Sequence, residues 1–419
     1  MAVSAIGIAA SVAGTYAGTF ATGAIAIGLT QGIVGTIVAG ALSGLIPDDA
    51  QNGDQVAQQA SALLNKSSNN APLPVVYGYR KIGGTRVFME VSGTDNEFLH
   101  VVIAMSEGEI NSFENIYIND IIKTDSRFNG LLDVYTHTGA DNQTADTQLI
   151  ANLANFGANW TLAHRLRGTA YLYVKLKFDV DAYPRGLPTI TADLKGTKVY
   201  DPRAFKTGGS FVTGTTYKII TLGNTTQTQW ENAGVIAHNV DEILLNTVYK
   251  ISSVGTTDFV LIGSANNSVG TIFTATAKGI GTGTLIPIAT VGTVFVATSS
   301  GAGTGKVNPK VWSDNPVLCI RDYLTNTRYG RGISTSLIDD TAFNLAANHC
   351  DTTVNIGGAT VKRYTCNGIV NTAQGSIGIL KQLLTSCKGF LVFTGGKYKL
   401  IIDKIENAGF TFDEDNIVG

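Results

Sequence analysis

The side chains able to do chemistry are few and scattered. Histidines stand at His100, His137, His164, His238 and His349 and form no HExxH pair. Cysteines stand at Cys319, Cys350, Cys366 and Cys387. No two have CxxC spacing, so neither a zinc ribbon nor a redox motif is encoded. Such thiols are expected as small buried hydrophobes in a reducing cytosol, with one disulfide among them left open. His349 and Cys350 are adjacent, and adjacent residues of a helix do not face each other, so they make no catalytic pair. Carboxylates cluster at Asp339-Asp340 and Asp413-Glu-Asp415 without calcium-loop spacing. Helix capping by Asp340 accounts for the first cluster, and a solvated turn for the second. Gly301-Ala-Gly-Thr-Gly-Lys306 invites a phosphate-loop reading. It fails because Ser300 stands where that loop needs Gly, and Val307 where it needs Ser or Thr. Lys306 is expected as a solvated strand residue. GxSxG is missing too. The expectation is a protein that is not an enzyme, with no catalytic residue, cofactor or metal.

Composition points the same way. A single core rarely grows beyond roughly 250–300 residues, so 419 residues imply several domains. Charged residues make up 15% of the chain, against about 25% in ordinary soluble domains. The 48 glycines imply many tight turns or close backbone contacts. Repetitive β proteins and assembly proteins share this profile. The net charge of −2 carries no basic excess, so no sequence-specific nucleic-acid binding is expected.

The elements divide the chain into five stretches. Residues 1–47 hold no Asp, Glu, Lys or Arg. Three GxxxG pairs lie in it: Gly14 with Gly18, Gly28 with Gly32, and Gly40 with Gly44. In a helix each pair puts two bare backbone patches on one face for close helix packing. This glycine-zipper segment suits one long helix or a hairpin of two. It lacks the basic start of a secretory signal. Packing inside an assembly and spanning a membrane both remain open, since periodicity does not separate lipid from protein. A disordered arm fits poorly with so apolar a composition. Residues 48–71 read as a polar linker with a short helix near Val56 to Leu64.

Residues 72–206 read as a β-rich domain. Two strands flank Gly83-Gly84, a hairpin turns at Asn119-Asp120, and the alternation of Ala170, Leu172, Val174, Leu176 and Phe178 marks a half-buried strand. Asp146 to Leu153 suits a short helix. Residues 207–306 are Thr- and Gly-rich and repetitive. Tyr217-Lys-Ile-Ile-Thr-Leu-Gly223 recurs as Tyr249-Lys-Ile-Ser-Ser-Val-Gly255, and Val269-Gly-Thr-Ile-Phe273 recurs as Val291-Gly-Thr-Val-Phe295. Short repeated strands with Gly turns imply a small inserted β domain built from duplicated units. Residues 307–419 turn α+β, with helices over Pro316 to Thr325, Thr341 to His349 and Ser376 to Cys387, then a hairpin at Gly395-Gly396. The fold class is mainly β and multidomain (α+β).

The stretch from Trp312 to Gly332 resembles a signature of the lambda J-type tail tip family of long-tailed bacteriophages. There an Asn-Pro pair opens a helix with Cys and Asp-Tyr-Leu, followed by Arg-Tyr-Gly. The residues in place are Asn315, Pro316, Cys319, Asp322, Tyr323, Arg328, Tyr329 and Gly330. The resemblance runs on through Cys350-Asp351, Arg363 to Gly368 and Gly389 to Asp403, and Val199-Tyr-Asp-Pro-Arg203 is also typical. The front, with residues 1–46, Leu73-Pro-Val-Val-Tyr-Gly78 and Arg80 to Arg86, is similar to the lambda I-type tail tip proteins. J-type proteins run much longer, with further hub domains and a receptor-binding end, so receptor binding is not expected of these 419 residues.

The resemblance implies a structural virion protein: a homotrimeric central hub at the distal end of the tail, assembled in the host cytoplasm. It would close the tail tube, meet a distal ring of tube proteins and the tape-measure protein, and take part in host attachment and DNA delivery, with phage DNA passing through its lumen. The apolar front would pack in that lumen and later meet the host envelope membrane. Two other readings are a membrane-anchored bacterial surface protein with β domains and a tail-associated cell-wall hydrolase. The first calls for a Lys/Arg-flanked membrane segment, and no cation precedes Lys66. The second calls for a converging Glu/Asp or Cys/His set.

Overall fold

A computed structural model describes residues 63–66, 72–157, 160–184 and 186–404. The glycine-zipper segment, with Gly14, Gly18, Gly28, Gly32, Gly40 and Gly44, lies outside the described residues. So do most of the polar linker with its expected helix and the Asp413–Asp415 turn. The fold is mainly β with five short helices among the described residues, the mixed class expected above. Two compact units emerge: one joins Met1–Lys198 to Trp312–Gly419, and the other is Val199–Val311.

In the first unit, β1 (Val75–Tyr77) pairs antiparallel with a late strand, Gly368–Val370. Next come β2 (Tyr79–Ile82), β3 (Thr85–Ser92), β4 (Phe98–Glu107), β5 (Ile110–Ile118), β6 (Ile121–Ile122), β7 (Leu132–His137), β8 (Thr169–Lys177) and β9 (Ile190–Tyr200). An antiparallel sheet runs β3-β4-β8-β7. In a second sheet β9 pairs with both β2 and β5, and β6 closes onto β5 through Asn119 and Asp120, both at positive φ. That conformation suits Asn and Asp and produces the tight hairpin.

Strand alternation explains the packing. On one face of the first sheet, Leu99, Val101, Ile103 and Met105 of β4 meet Leu172, Val174 and Leu176 of β8. Ile110, Ile116, Ile118, Ile190 and Leu194 of the second sheet complete this core. Each such side chain contributes about 1.5–3 kcal/mol on burial. The other face carries Val102, Tyr171 and Tyr173, covered by Leu149 and Leu153 of helix α1 (Thr147–Leu153) and by Trp160. The expectation of a half-buried strand at Ala170–Phe178 is therefore corrected. Both faces of β8 are buried for most of its length. The intervening tyrosines look amphipathic in sequence, but α1 roofs them.

The second unit contains helix α2 (Gln227–Ala233) and two copies of one small β module. The core strands are Thr216–Thr221 and Val248–Ser253. Tyr217 Oη accepts from Val212 N at 3.0 Å, and Tyr249 Oη accepts from Leu244 N at 2.9 Å. Thr225 Oγ1 accepts from Gly305 N at 2.9 Å, and Thr257 Oγ1 from Gly283 N at 2.9 Å. Each core strand carries a β-bulge, after Ile219 and after Ile251. One core gathers Phe211, Tyr217, Trp230 and Phe295; the other gathers Tyr249, Phe259, Ile262 and Phe273. The copies are nested. The second occupies the chain between α2 and the strand Val294–Val296, so the first is assembled from sequence on either side of it. Lys306 lies in a strand and is exposed.

The end of the first unit holds helices α3 (Pro316–Thr325), α4 (Asp340–Asp351) and α5 (Ser376–Thr385), then the hairpin Gly389–Thr394 with Lys397–Ile402. Asp340 does not cap α4. Asp339 does, accepting from Ala342 N at 3.1 Å. A cap residue must lie outside helical φ/ψ with its carboxylate over the first turn, and Asp339 meets that condition. One residue on, Asp340 is free to accept the Arg321 guanidinium at 2.8 and 3.1 Å, joining α3 to α4.

Candidate functional site

The residues carrying the family resemblance form one connected tie inside the first unit. Asn315 begins it. Its Oδ1 accepts from Val317 N at 3.0 Å and Leu318 N at 3.4 Å, capping α3, and its amide donates to Ala347 O of α4 at 2.9 Å. Pro316 follows at the helix start, where its missing N–H costs nothing. Cys319 and Tyr323 face the core at 0% and 3% exposure. All four cysteines are buried. Burial pushes the Cys319 thiol well above its usual value.

After α3 the chain folds back on itself. Asn326 Oδ1 accepts from Arg328 N at 2.8 Å and Tyr329 N at 3.2 Å, and Tyr323 O accepts from Arg331 N at 2.8 Å. Gly330 is required here, because a Cβ would collide with the Tyr323 and Asn326 carbonyl oxygens. The turn delivers Arg328 and Tyr329 to two different partners.

Tyr329 Oη donates to Asp322 Oδ2 at 2.7 Å. The same oxygen accepts from Tyr77 Oη of β1, also at 2.7 Å. One carboxylate thus joins β1, α3 and the turn, across more than two hundred residues of sequence. Burial raises both phenol pKa values well above normal, and the Asp322 charge raises them further, so both remain neutral donors. Hydrogen bonds to an ionised acceptor are roughly twice as strong as neutral ones. Arg328 reaches the β body. Its guanidinium pairs with Glu107 and donates to Arg167 O at 3.0 Å and Thr169 Oγ1 at 3.3 Å. Gly168, at positive φ, leaves room for it. Trp312 Nε1 donates to Gly78 O at 3.1 Å, a further stitch.

A second polar chain was not foreseen from the sequence. His100 accepts or donates through both ring nitrogens, to Ser92 Oγ and to Tyr173 Oη, each at 2.7 Å. Asn152 extends the chain to Tyr173 at 3.1 Å. Ser against imidazole has the atoms of a nucleophile–base pair. Yet Ser92 and His100 are 4% and 0% exposed, so no substrate reaches them. Burial, then the Lys175 charge, lowers the His100 pKa to about 4, which keeps the ring neutral. The only sequence sign of this chain is the out-of-pattern histidine in the apolar run of β4.

Among the described residues no group of three or more His, Cys, Asp or Glu is placed to hold a metal ion. No described helix is long and apolar enough to cross a membrane. The six glycines expected to pack helices or meet a membrane are Gly14, Gly18, Gly28, Gly32, Gly40 and Gly44. None of them falls among the described residues, so the tie above is built without them.

The site therefore consists of ties between β strands and helices in a β-rich fold. No family model matches the chain. Two curated proteins are similar to parts of it. The tip attachment protein J of Escherichia phage SECphi27 is 28% identical over 115 residues, covering 26% of this chain and 9% of that protein. The baseplate hub protein pb3 of Escherichia phage T5 is 26% identical over 182 residues, covering 30% of this chain and 19% of that protein. The chain thus matches less than a fifth of the length of either relative. A chain from the virion of a native gene transfer agent particle superposes over 32% of this chain and 29% of its own, with 17% identity and a TM-score of 0.26. Both sequence similarities are thus to proteins of phage tail tips or hubs.

Proposed function

We propose that this chain forms the central hub of a long-tailed phage tail tip, as a homotrimer that closes the tail tube. It takes part in host attachment and in release of DNA through its lumen. The observation that carries this reading is its similarity to both a tip attachment protein and a baseplate hub protein. The interior fits such a role. A hub must transmit force without coming apart, and the Asp322 tie fastens β1 to α3 by charge-assisted hydrogen bonds in place of loose loops. Its partners are two further copies, the ring above, and the tape-measure protein within. Residues 1–46 pack in the lumen through the faces of Gly14 and Gly18, Gly28 and Gly32, and Gly40 and Gly44 until delivery, then enter the host envelope. The test is immunogold labelling of purified tails with antibody to the second unit. Label confined to the distal end supports the proposal, and label along the tube or absent from virions rejects it.

A further inference from the structure

A cleft of about 600 Å³ opens in the first unit between the β2–β3 region and the segment from Thr365 to Ser386. The residues of the Asp322 tie do not line it, although Tyr77 pairs with Gly368 at its edge. Its walls are mixed: Pro72, Pro74, Ile82, Ile369, Val370 and Leu383 supply apolar surface beside polar groups such as Asn367, Asn371 and Gln382. Three cations line it, Lys66 from before β1, Arg80 from β2 and Lys381 from α5, and among the described residues no carboxylate does. None of the three makes an ion pair with a described residue. In a chain with a slight acidic excess, three cations thus converge on one cleft with no described carboxylate among its lining. Among the described residues, the strand Gly368–Val370, which also lines the cleft, pairs with β1 alone, and the two form a two-stranded sheet.

These features define a ligand. An unpaired strand edge offers main-chain donors and acceptors to another extended chain. Apolar wall residues take alternate side chains of such a chain, and the cations favour carboxylates on it. We infer that the cleft binds an extended, acidic segment of a partner polypeptide, which adds along Gly368–Val370 and sets its carboxylates against Lys66, Arg80 and Lys381. The inference stands on the cleft alone and does not depend on the hub reading.

Fluorescence polarisation of the full chain tests it, using a labelled hexapeptide of alternating aspartate and valine. The same peptide with lysine for aspartate is the control. Saturable binding is expected for the acidic peptide, falling with added salt. The combined Lys66→Glu, Arg80→Glu and Lys381→Glu variant should weaken it about tenfold or more, while Lys177→Glu, which does not line the cleft, leaves it unchanged. An unchanged far-ultraviolet circular dichroism spectrum confirms that the triple variant folds. Equal binding of the lysine peptide, or equal binding by the triple variant, overturns the proposal. Binding that appears only after residues 405–419 are deleted also overturns it, because it assigns the cleft to the chain's own acidic end.

Discussion

At the residue scale, Asp322 holds the tie together, because one oxygen of its carboxylate serves two buried phenols. Asp322→Ala leaves both Tyr77 and Tyr329 without an acceptor, and should cost about 2–4 kcal/mol in urea unfolding. Tyr77→Phe and Tyr329→Phe each remove one donor. Because they share that oxygen, their effects should not add in a double-mutant cycle. His100 gives a second expectation, with a defined sign. Its folded pKa, about 4, lies below the unfolded value of about 6.5. Between those values the unfolded chain binds a proton that the folded chain refuses. The stability from the neutral ring is thus complete above about pH 6.5 and is lost as pH falls toward 4, by at most about 3 kcal/mol. Urea melts of the wild type and His100→Gln at pH 7 and pH 5 check this. The difference between the two proteins should shrink at pH 5, and a constant difference contradicts it.

At the element scale, the nested modules of the second unit make a construction experiment feasible. Gly234 and Gly263 end the equivalent helical segments, and Gly292 and Gly270 begin the equivalent returns, all four at positive φ. In the inner module only Ser264–Val269 bridges that interval. Replacing residues 235–291 by a copy of Ser264–Val269 should leave a single module that keeps Phe211, Tyr217, Trp230 and Phe295 of its core and loses Val235 and Ala289. Its near-ultraviolet circular dichroism should retain the Trp230 signal, and a flat spectrum would show that the outer module needs the inner one. Much of this level was legible beforehand. The repeats, the Asn119-Asp120 hairpin and the three late helices follow from period and turn chemistry, which act locally. The nesting was not read, although the copies run in mirror order along the chain: outer strand, inner strand, inner return, outer return. The roof of α1 over β8, and the Asp340 pairing with Arg321, were not legible either. Each depends on which distant element arrives at a face, and no local pattern encodes that. For the same reason the motif residues Asp322 and Tyr329 were visible as a resemblance, while their bond to Tyr77 was not.

At the scale of the whole molecule, the described features are interior fastenings and one cleft, and the proposed hub is one part of a larger closed assembly. Closed rings of identical chains bury the same surfaces on every copy, so their stoichiometry is fixed and does not drift with concentration once assembled. Multi-angle light scattering of the purified full chain at micromolar concentration measures that stoichiometry directly. The account predicts one species at three times the 44.1 kDa of a single chain. A stable species at the mass of one chain across that range would contradict it.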